Sequence, residues 1–393
     1  MKFFIRTLGC KMNGLDSARL RAALLHGGYE EAEREEEADY VVVNSCTVTA
    51  EADRKSRQAA KAADRRLQQV AVTGCGARID PARWEQEAFT SEAELLGRLD
   101  VRTEGLPFPV HARTRAFVAV QTGCDNHCTF CITRLARGAH RSIPIQEVAA
   151  QVREAEAAGA QEVVLTGINL AAWGSDDSNS AGGARLHELL EGLLEATTIP
   201  RIRLSSLGPQ YLGPGFFGVF ADPRICDYLH LSVQSGAPDI LRRMDRGHGV
   251  EEVRRVAEAA RRARPDMALA ADLIVGFPGE GEAEFEQTRS LAEEVALAKL
   301  HVFPYSPREG TPAAAFGEQV SGPEKKRRAA ALRETGRRLR QTFLEGQYGR
   351  QTEVLVEGGG TGLTGNYIRL AVPGAARGER VVREVTAAAL AER

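Results

Sequence analysis

Cys124, Cys128 and Cys131 form a C-x-x-x-C-x-x-C pattern within residues 121–131. Three thiolates this close together can hold three irons of a cubane cluster and leave the fourth iron without a protein ligand. An open iron can chelate a substrate or cofactor, as an open zinc site does. A zinc knuckle usually needs four ligands, and no nearby His-x-x-x-His or second cysteine pair completes one, while a disulfide would leave one cysteine over. The spacing therefore predicts an iron–sulfur cluster with an incomplete set of protein ligands.

A second set of cysteines, Cys10, Cys46 and Cys75, is spread over the first part of the chain. Each follows a short apolar run, and helix-like segments separate the runs, which predicts a parallel sheet covered by helices. Ligands bind outside the carboxyl ends of such strands, so we expect the three thiols to converge on one metal centre. The alternative is three unrelated buried cysteines, since free cysteine is common in protein cores. The runs lie at residues 3–5, 40–43 and 70–72, and the helices at 16–26 and 50–67.

Six more apolar runs in the middle of the chain alternate with helix-like segments. Six β/α units predict a partial barrel, with functional groups at the carboxyl ends of its strands. The loop of Cys124 follows the first run, in agreement with this arrangement. The strands are expected at 116–121, 162–166, 200–205, 228–233, 269–275 and 299–304, and the helices at 145–158, 186–196, 238–245, 250–263 and 282–298.

Polar or glycine-rich turns follow the other strands of the predicted barrel. Each alone is more often an ordinary turn, but together at one barrel mouth they are candidates for binding an organic cofactor. A basic group after the cysteine loop, which comprises Arg134, Arg137, His140 and Arg141, could bind phosphates or be ordinary surface charge. The cofactor candidates are Thr166, Gly167, Asn169, Ser205, Gln234, Asp272 and Phe277.

The length and charge of the chain limit its organisation and its partners. The 393 residues predict two or three domains, which we place at 1–105, 110–340 and 341–393, with a linker at 101–114 and a mobile loop at 174–184. With 51 basic and 53 acidic residues, any nucleic-acid surface must be a local patch. The first residues make a poor secretory signal and no apolar run is long enough to span a membrane, so we expect a cytoplasmic protein with no membrane partner. A reducing cytoplasm also favours metal or redox roles for cysteine clusters, although the lone Cys226 is expected to be a buried apolar residue.

The last part of the chain combines a basic helix with short strands. The helix-like run starts at Pro323 and carries many lysines and arginines, which is usually a solvated face. Short strands with glycine turns at residues 352–385 predict a small antiparallel barrel. The two together could seat an RNA stem by its backbone phosphates.

The loop of Cys124, Cys128 and Cys131 resembles the signature of the radical S-adenosylmethionine (SAM) enzymes. In that family the free iron binds the amino and carboxylate groups of SAM, which is then split to give a 5′-deoxyadenosyl radical. The motifs TLGCKMN, VVVNSCTVT and VTGC, with VLTGINL, HLSVQSG and DLIVGFPGE further on, are similar to those of the methylthiotransferases. The resemblance implies a second 4Fe-4S cluster on Cys10, Cys46 and Cys75, which carries the sulfur of the methylthio group. The catalytic set it implies is these three cysteines together with those of the central loop.

This family resemblance also implies a fold and partners. The fold is a flavodoxin-like parallel α/β domain, a partial (β/α)6 radical SAM barrel and a TRAM-like C-terminal antiparallel β-barrel that binds RNA. The cofactors are two 4Fe-4S clusters and SAM, and the partners are tRNA and an electron donor such as a flavodoxin or ferredoxin. Family members usually have a glutamate where this chain has Gly208.

The run TLGCKMN followed by LDS, with Lys11 after the first cysteine, is most similar to members that modify N6-threonylcarbamoyladenosine at position 37 of tRNA. Members acting on isopentenyladenosine typically have glutamine there, and those acting on a ribosomal-protein aspartate have proline. These are the alternative substrates. A different class, a non-catalytic two-cluster electron-transfer or sensor protein, would normally complete its ligand sets.

Overall fold

The computed structural model describes residues 1–66, 68–102, 114–176 and 185–391. Most of the expected linker at 101–114, the domain boundaries at 105 and 110, and most of the expected loop at 174–184 lie outside the described residues. Within them, no helix is both long and apolar enough to cross a membrane.

The first unit is a parallel five-stranded sheet in the order β2-β1-β3-β4-β5. Its central strand β3 is buried along its whole length, and apolar clusters cover both faces of the sheet, as in other helix-covered parallel sheets. The predicted parallel α/β unit is confirmed. Its strands are β1 Lys2–Thr7, β2 Glu30–Glu31, β3 Tyr40–Ser45, β4 Gln69–Gly74 and β5 Glu87–Ala88, and its helices α1 Lys11–His26, α2 Ala50–Asp64, α3 Cys75–Ile79 and α4 Glu92–Arg98.

The second unit is a partial barrel of parallel strands. The third strand is interrupted at Ser205: its first half, β10, pairs with β9, and its second half, β11, pairs with β12. This break divides the barrel wall into sheets of order β10-β9-β6 and β11-β12-β13-β14. The strands are β6 Arg115–Ala119, β9 Glu162–Thr166, β10 Arg201–Leu204, β11 Ser206–Leu207, β12 Tyr228–Gln234, β13 Ala268–Val275 and β14 Lys299–Pro304, while β7 Gln121–Thr122 and β8 Arg141–Ser142 form a separate antiparallel ribbon.

The barrel helices lie close to their predicted positions. One large apolar cluster fills the space between these helices and the strands. The six β/α units are confirmed. The helices are α5 Thr133–Arg137, α6 Ile145–Ala157, α7 Leu186–Ala196, α8 Pro214–Gly218, α9 Pro238–Arg243, α10 Val250–Ala263 and α11 Glu282–Glu294.

The third unit is an antiparallel sheet in the order β17-β16-β15-β18. The helix before it, α12 (Gly322–Glu345), packs along β14 of the barrel and extends past the boundary predicted at 340/341. The strands are β15 Gln351–Gly358, β16 Thr361–Thr364, β17 Arg369–Ala371 and β18 Arg380–Glu384.

Buried charges join this sheet to the barrel end opposite the cysteine loop. Arg203 forms hydrogen bonds to both carboxylate oxygens of Glu162, at 2.8 and 3.1 Å, and donates to the carbonyl oxygens of Thr364 and Gly365. Arg201 is ion-paired with the same carboxylate at 2.9 Å. Burial by itself would raise the pKa of Glu162, but the combined effect of Arg203, which also hydrogen-bonds to it, and of the charges of Arg201 and Arg115 outweighs burial and holds that pKa below its ordinary value. Glu162 therefore keeps its charge and neutralises a docking surface made of arginines.

Glu162→Gln should destabilise the protein because it leaves these arginines buried without a counter-charge. We expect the free energy of unfolding to fall by about 3–5 kcal/mol in urea titrations near pH 7. The exposed pair of Arg380 and Glu353 provides the control, and Glu353→Gln should cost less than about 1 kcal/mol. Because the pKa of Glu162 is lowered, the difference in the free energy of unfolding between the wild type and Glu162→Gln should be fully present above pH 4.5, the ordinary pKa of glutamate. It should shrink as the pH falls through the lowered pKa. Equal effects of the two substitutions at pH 7 would contradict this account.

Candidate active site

A cavity of about 770 Å³ opens at the carboxyl ends of the barrel strands, facing the carboxyl edge of the N-terminal sheet. Its volume is in the range of small-molecule sites, roughly 300–1,000 Å³. Six of the seven cysteines line it, three from each unit. They are Cys10, Cys46, Cys75, Cys124, Cys128 and Cys131.

The loop that carries the central cysteines is closed by the antiparallel pairing of β7 with β8. Gly123 has φ +68°, and a Cβ there would lie 1.7 Å from the carbonyl oxygen of Ala139, so a side chain would not fit. Gln121 is fully buried and donates to the Gly123 carbonyl oxygen at 2.7 Å, while the amide of Thr129 donates to the carbonyl oxygen of Met244. These contacts fix the loop from both sides before any ligand binds.

Asn13 joins the three cysteine-bearing turns of the N-terminal unit. Its side-chain amide donates to the carbonyl oxygens of Leu8 and Ser45, at 2.8 and 2.9 Å. Its Oδ1 accepts from the thiols of Cys10 and Cys75, at 3.8 and 3.7 Å. One fully buried side chain therefore sets the relative positions of the turns, and the sequence analysis did not identify it. The only available signal was its place in the TLGCKMN motif.

Arg137 links the two units at the cavity. It lies in α5, directly after the central cysteine loop, and its Nη2 donates to Asn13 Oδ1 at 2.7 Å and to Asp16 Oδ2 at 2.6 Å. Its side chain is only 3% exposed. Arg137 is thus an internal clamp and is not the phosphate-binding surface residue that we considered from sequence.

An arginine accompanies each set of thiols. Burial raises the pKa of the Cys75 thiol, and the charge of Arg137 opposes that effect. Burial likewise raises the pKa of the Cys128 thiol, and Arg246, whose Nη1 donates to Cys128 Sγ at 3.2 Å, opposes it. Positive charge beside the sulfurs stabilises thiolates, which are the ligand form of cysteine.

The thiols form two separate sets on the cavity wall, one from each unit. Among the described residues, no three His, Cys, Asp or Glu side chains are close enough to surround one ion. In a 4Fe-4S cluster each thiolate binds a different iron, so the sulfurs lie further apart than around one metal. Three thiols on each side of a shared cavity, with arginine donors behind them, therefore fit two clusters with three protein ligands each.

Six of the seven residues predicted to bind the cofactor line the cavity. Ser205, at the break between β10 and β11, has a buried hydroxyl with no hydrogen-bond partner in the described structure, as expected for a group that a ligand completes. Gln234 has φ +74°, a strained conformation for a non-glycine residue, at the end of β12. The six are Thr166, Gly167, Asn169, Ser205, Gln234 and Asp272.

Phe277 is the exception. It is completely buried and packs edge-on against Phe130, with ring centroids 6.4 Å apart, and against Tyr305 at 5.2 Å. It therefore supports the cysteine loop from behind the cavity wall. An apolar aromatic residue after a strand packs in the core more readily than it lines a polar cavity.

The floor of the cavity carries ionisable groups that the sequence analysis missed. His230 Nε2 lies 2.8 Å from Asp272 Oδ1, and the His230 and His301 rings stack at 4.7 Å. Burial, followed by the charge of His230, lowers the pKa of His301 to about 4. Both histidines lie within parallel strands, His230 in the mostly buried β12 and His301 in the half-exposed β14, and a polar residue within such a strand was the available signal.

Other residues singled out from sequence have varied positions. Arg134 is exposed on the cavity rim, 2.5 Å from His127 Nδ1, and Arg141 is exposed. His140 is buried against Gln121, at 2.9 Å. Gly208 lines the cavity, and Cys226 is buried as predicted, 3.8 Å from Glu162 Oε2.

The fold and the site define a radical SAM enzyme. The model of the Radical SAM superfamily matches residues 118–292, and that of the Uncharacterized protein family UPF0004 matches residues 2–95. Among solved structures, the radical SAM methyltransferase TsrM of Kitasatospora setae matches 80% of this chain and 76% of its own length, with a TM-score of 0.52 and 13% identity. The cobalamin-dependent radical SAM enzyme OxsB matches 87% of this chain and 56% of its own length, with a TM-score of 0.54 and 11% identity. These likenesses show the fold.

Curated relatives identify the family within that class. Threonylcarbamoyladenosine tRNA methylthiotransferase MtaB of Thermotoga maritima is 33% identical, over 90% of this chain and 86% of that protein. MtaB of Aquifex aeolicus is 34% identical, over 94% and 96%. The tRNA-2-methylthio-N(6)-dimethylallyladenosine synthase of Maricaulis maris is 35% identical, over 91% and 86%. The chain belongs to the radical SAM methylthiotransferase family, and its cofactors are SAM and two 4Fe-4S clusters.

Arg137→Met should loosen the N-terminal unit at the cavity because Asp16 then stays buried without a partner. We expect faster hydrogen–deuterium exchange at the start of α1, corresponding to a local loss of roughly 1–3 kcal/mol. The control is Arg21→Met on the same helix, since Arg21 pairs with Glu31 at the surface. Unchanged exchange in the Arg137 variant would show that the clamp contributes nothing to the docking of the two units.

Proposed function

We propose that this protein transfers a methylthio group to C2 of N6-threonylcarbamoyladenosine at adenosine 37 of tRNA. The observation that supports the proposal most directly is the pair of cysteine trios that line one cavity from opposite units. In the proposal, Cys124, Cys128 and Cys131 hold the SAM-binding cluster, and Cys10, Cys46 and Cys75 hold the auxiliary cluster.

The target bond explains why such cofactors are needed. An aromatic C–H bond of this kind has no acidic proton and no leaving group, so general acid–base catalysis has nothing to act upon. When bound, the clusters and SAM supply a carbon radical and the methylated sulfur. The protein contributes binding, orientation and the exclusion of water. Ser205, Asn169 and Gln234 would orient SAM, and Arg246 and Arg137 would hold the thiolates in their charged form.

The choice of substrate rests on Lys11, because the relatives are divided. Relatives of similar identity include enzymes named for threonylcarbamoyladenosine and enzymes named for dimethylallyladenosine. Lys11, the residue after the first cysteine, lines the cavity and gives it a positive charge. A positive charge is consistent with a carboxylate-bearing base and does not suit a hydrocarbon substituent. The isopentenyl base and a ribosomal-protein aspartate are the alternatives.

In our proposal the C-terminal sheet is a TRAM-like RNA-binding module that holds the tRNA while its anticodon loop enters the cavity. The basic helix before it contributes less free charge than the sequence indicated. Arg328 is ion-paired with Glu280 at 2.8 Å, and Arg327 with Glu324 at 2.6 Å. An electron donor such as a flavodoxin or ferredoxin would reduce the clusters in the cytoplasm.

The alternative from another class of protein is a non-catalytic two-cluster protein that transfers electrons or senses iron. Such a protein needs neither an orphaned hydroxyl nor a cavity beside its clusters. Anaerobic incubation with SAM and a reductant separates the two functions, because the sensor would form no 5′-deoxyadenosine.

Replacement of each cysteine trio by alanine tests the ligand assignment. The reconstituted wild type should hold about eight irons per chain and each triple variant about four, since each cubane contains four. Both triple variants should lose methylthio product, measured by mass spectrometry of tRNA nucleosides. Cys226→Ala is the matched control, because Cys226 is buried away from the cavity, and it should keep its iron. A full iron content in either triple variant would refute the assignment.

Incubation with two tRNAs tests the substrate. A tRNA that carries threonylcarbamoyladenosine at position 37 should gain a methylthio group, and one that carries isopentenyladenosine should gain none or far less. Equal product from both would remove the preference, and product from the isopentenyl tRNA alone would establish the alternative.

A further inference from the structure

Lys11 is a cation inside the cavity without a protein partner. It is the first residue of α1, directly after Cys10, and it lines the cavity that both cysteine trios line. Its ammonium makes no hydrogen bond or ion pair with any of the described residues. The arginines that face the same cavity differ, since Arg137 is bound to Asp16 and Arg246 donates to Cys128.

Lys11 shares the cavity with the ionisable groups of its floor. His230, Asp272 and His301 line the same cavity as Lys11. Asp272 is the acidic residue of the floor, and its carboxylate is already bonded to His230 at 2.8 Å. No ion pair forms between Lys11 and Asp272 in the described structure, so the ammonium is available to a ligand.

An unpaired cation in a partly enclosed cavity favours an anionic ligand group. Water solvates the ammonium while the cavity is open, but a tRNA loop that fills the mouth would displace that water. An uncharged ligand would then leave the ammonium without a hydrogen-bond partner, which is costly, whereas a carboxylate would form a charge-assisted hydrogen bond. A site built in this way selects for the charged ligand and against its uncharged analogue.

We propose that Lys11 binds the threonyl carboxylate of the substrate base and thereby selects threonylcarbamoyladenosine over bases with an uncharged substituent at N6. This inference rests on the proposed function and adds the residue that recognises the substrate. The methionine carboxylate of SAM has the same chemistry and could be the partner of Lys11 instead. The experiment must therefore separate these two carboxylates.

Binding measurements on the cluster-loaded full chain test the role of Lys11 without depending on turnover. Two anticodon stem-loop RNAs are compared, one with threonylcarbamoyladenosine and one with its methyl ester, which removes only the negative charge. The wild type should prefer the carboxylate RNA by roughly tenfold or more, the ratio expected for one hydrogen bond to a charged group. Lys11→Gln should reduce this ratio to about one, and Lys11→Arg, which keeps the charge, should retain much of it. Lys55→Gln, on the surface of α2, should leave it unchanged.

Each other outcome decides against the proposal. An unchanged ratio in Lys11→Gln would overturn it, and so would a loss of SAM affinity with an unchanged RNA ratio, because Lys11 would then bind the cofactor. Equal affinity of the wild type for the acid and the ester overturns the proposal even should Lys11→Gln fail to hold iron, and in that case the supporting comparison is between the wild type and Lys11→Arg.

Product formation by the wild type keeps this test separate from the proposed function. If the wild type makes no methylthio product from the carboxylate RNA, the proposed function fails, whatever the binding ratios. If it makes the product and the ratio does not depend on Lys11, only the role of Lys11 fails.

Discussion

The bond from Arg137 to Asn13 and Asp16 is the contact on which the site depends. Asn13 sets the positions of the three N-terminal cysteine turns, and Arg137 follows directly after the central cysteine loop. One guanidinium therefore connects the supports of both trios. Because Arg137 is buried and its charge is paired with Asp16, a change in the relative position of the two units would expose that charge to solvent or leave it without a partner. This constraint keeps two cofactors that must act on one substrate at a fixed separation.

The two ends of the barrel have different roles. The carboxyl ends of the strands form the cavity, and the opposite end binds the C-terminal sheet. At the carboxyl ends of its strands, unpaired or strained groups such as Ser205 and Gln234 face the cavity, where a ligand can complete them. At the opposite end, Glu162 compensates the arginines that bond to the backbone of the C-terminal sheet. At the docking end Glu162 is paired with arginines of the protein itself, whereas Ser205 at the mouth is left for a ligand.

Charge in this protein acts locally. The net charge is −2, and partners from other elements compensate arginines of the basic helix, such as Arg338 with Glu293. The cation of Lys11 is different, since the described structure gives it no protein partner and it lines the cavity that the two cysteine trios share. A single charge in such a place can discriminate between substrates more strongly than many paired charges on a surface.

The sequence by itself determined the elements and the two cysteine trios. Short apolar runs that alternate with amphipathic helices have one stable arrangement as parallel sheets, and the spacing of Cys124, Cys128 and Cys131 limits their chemistry. It did not determine which polar side chains meet, because Asn13 and Arg137 are 124 residues apart and only the docking of two units brings them together. Nor did it show that Phe277 packs behind the cavity wall or that Lys11 lies on the cavity without a protein partner. Tertiary packing decided these positions, since a side chain's role depends on the charges and the solvent around it.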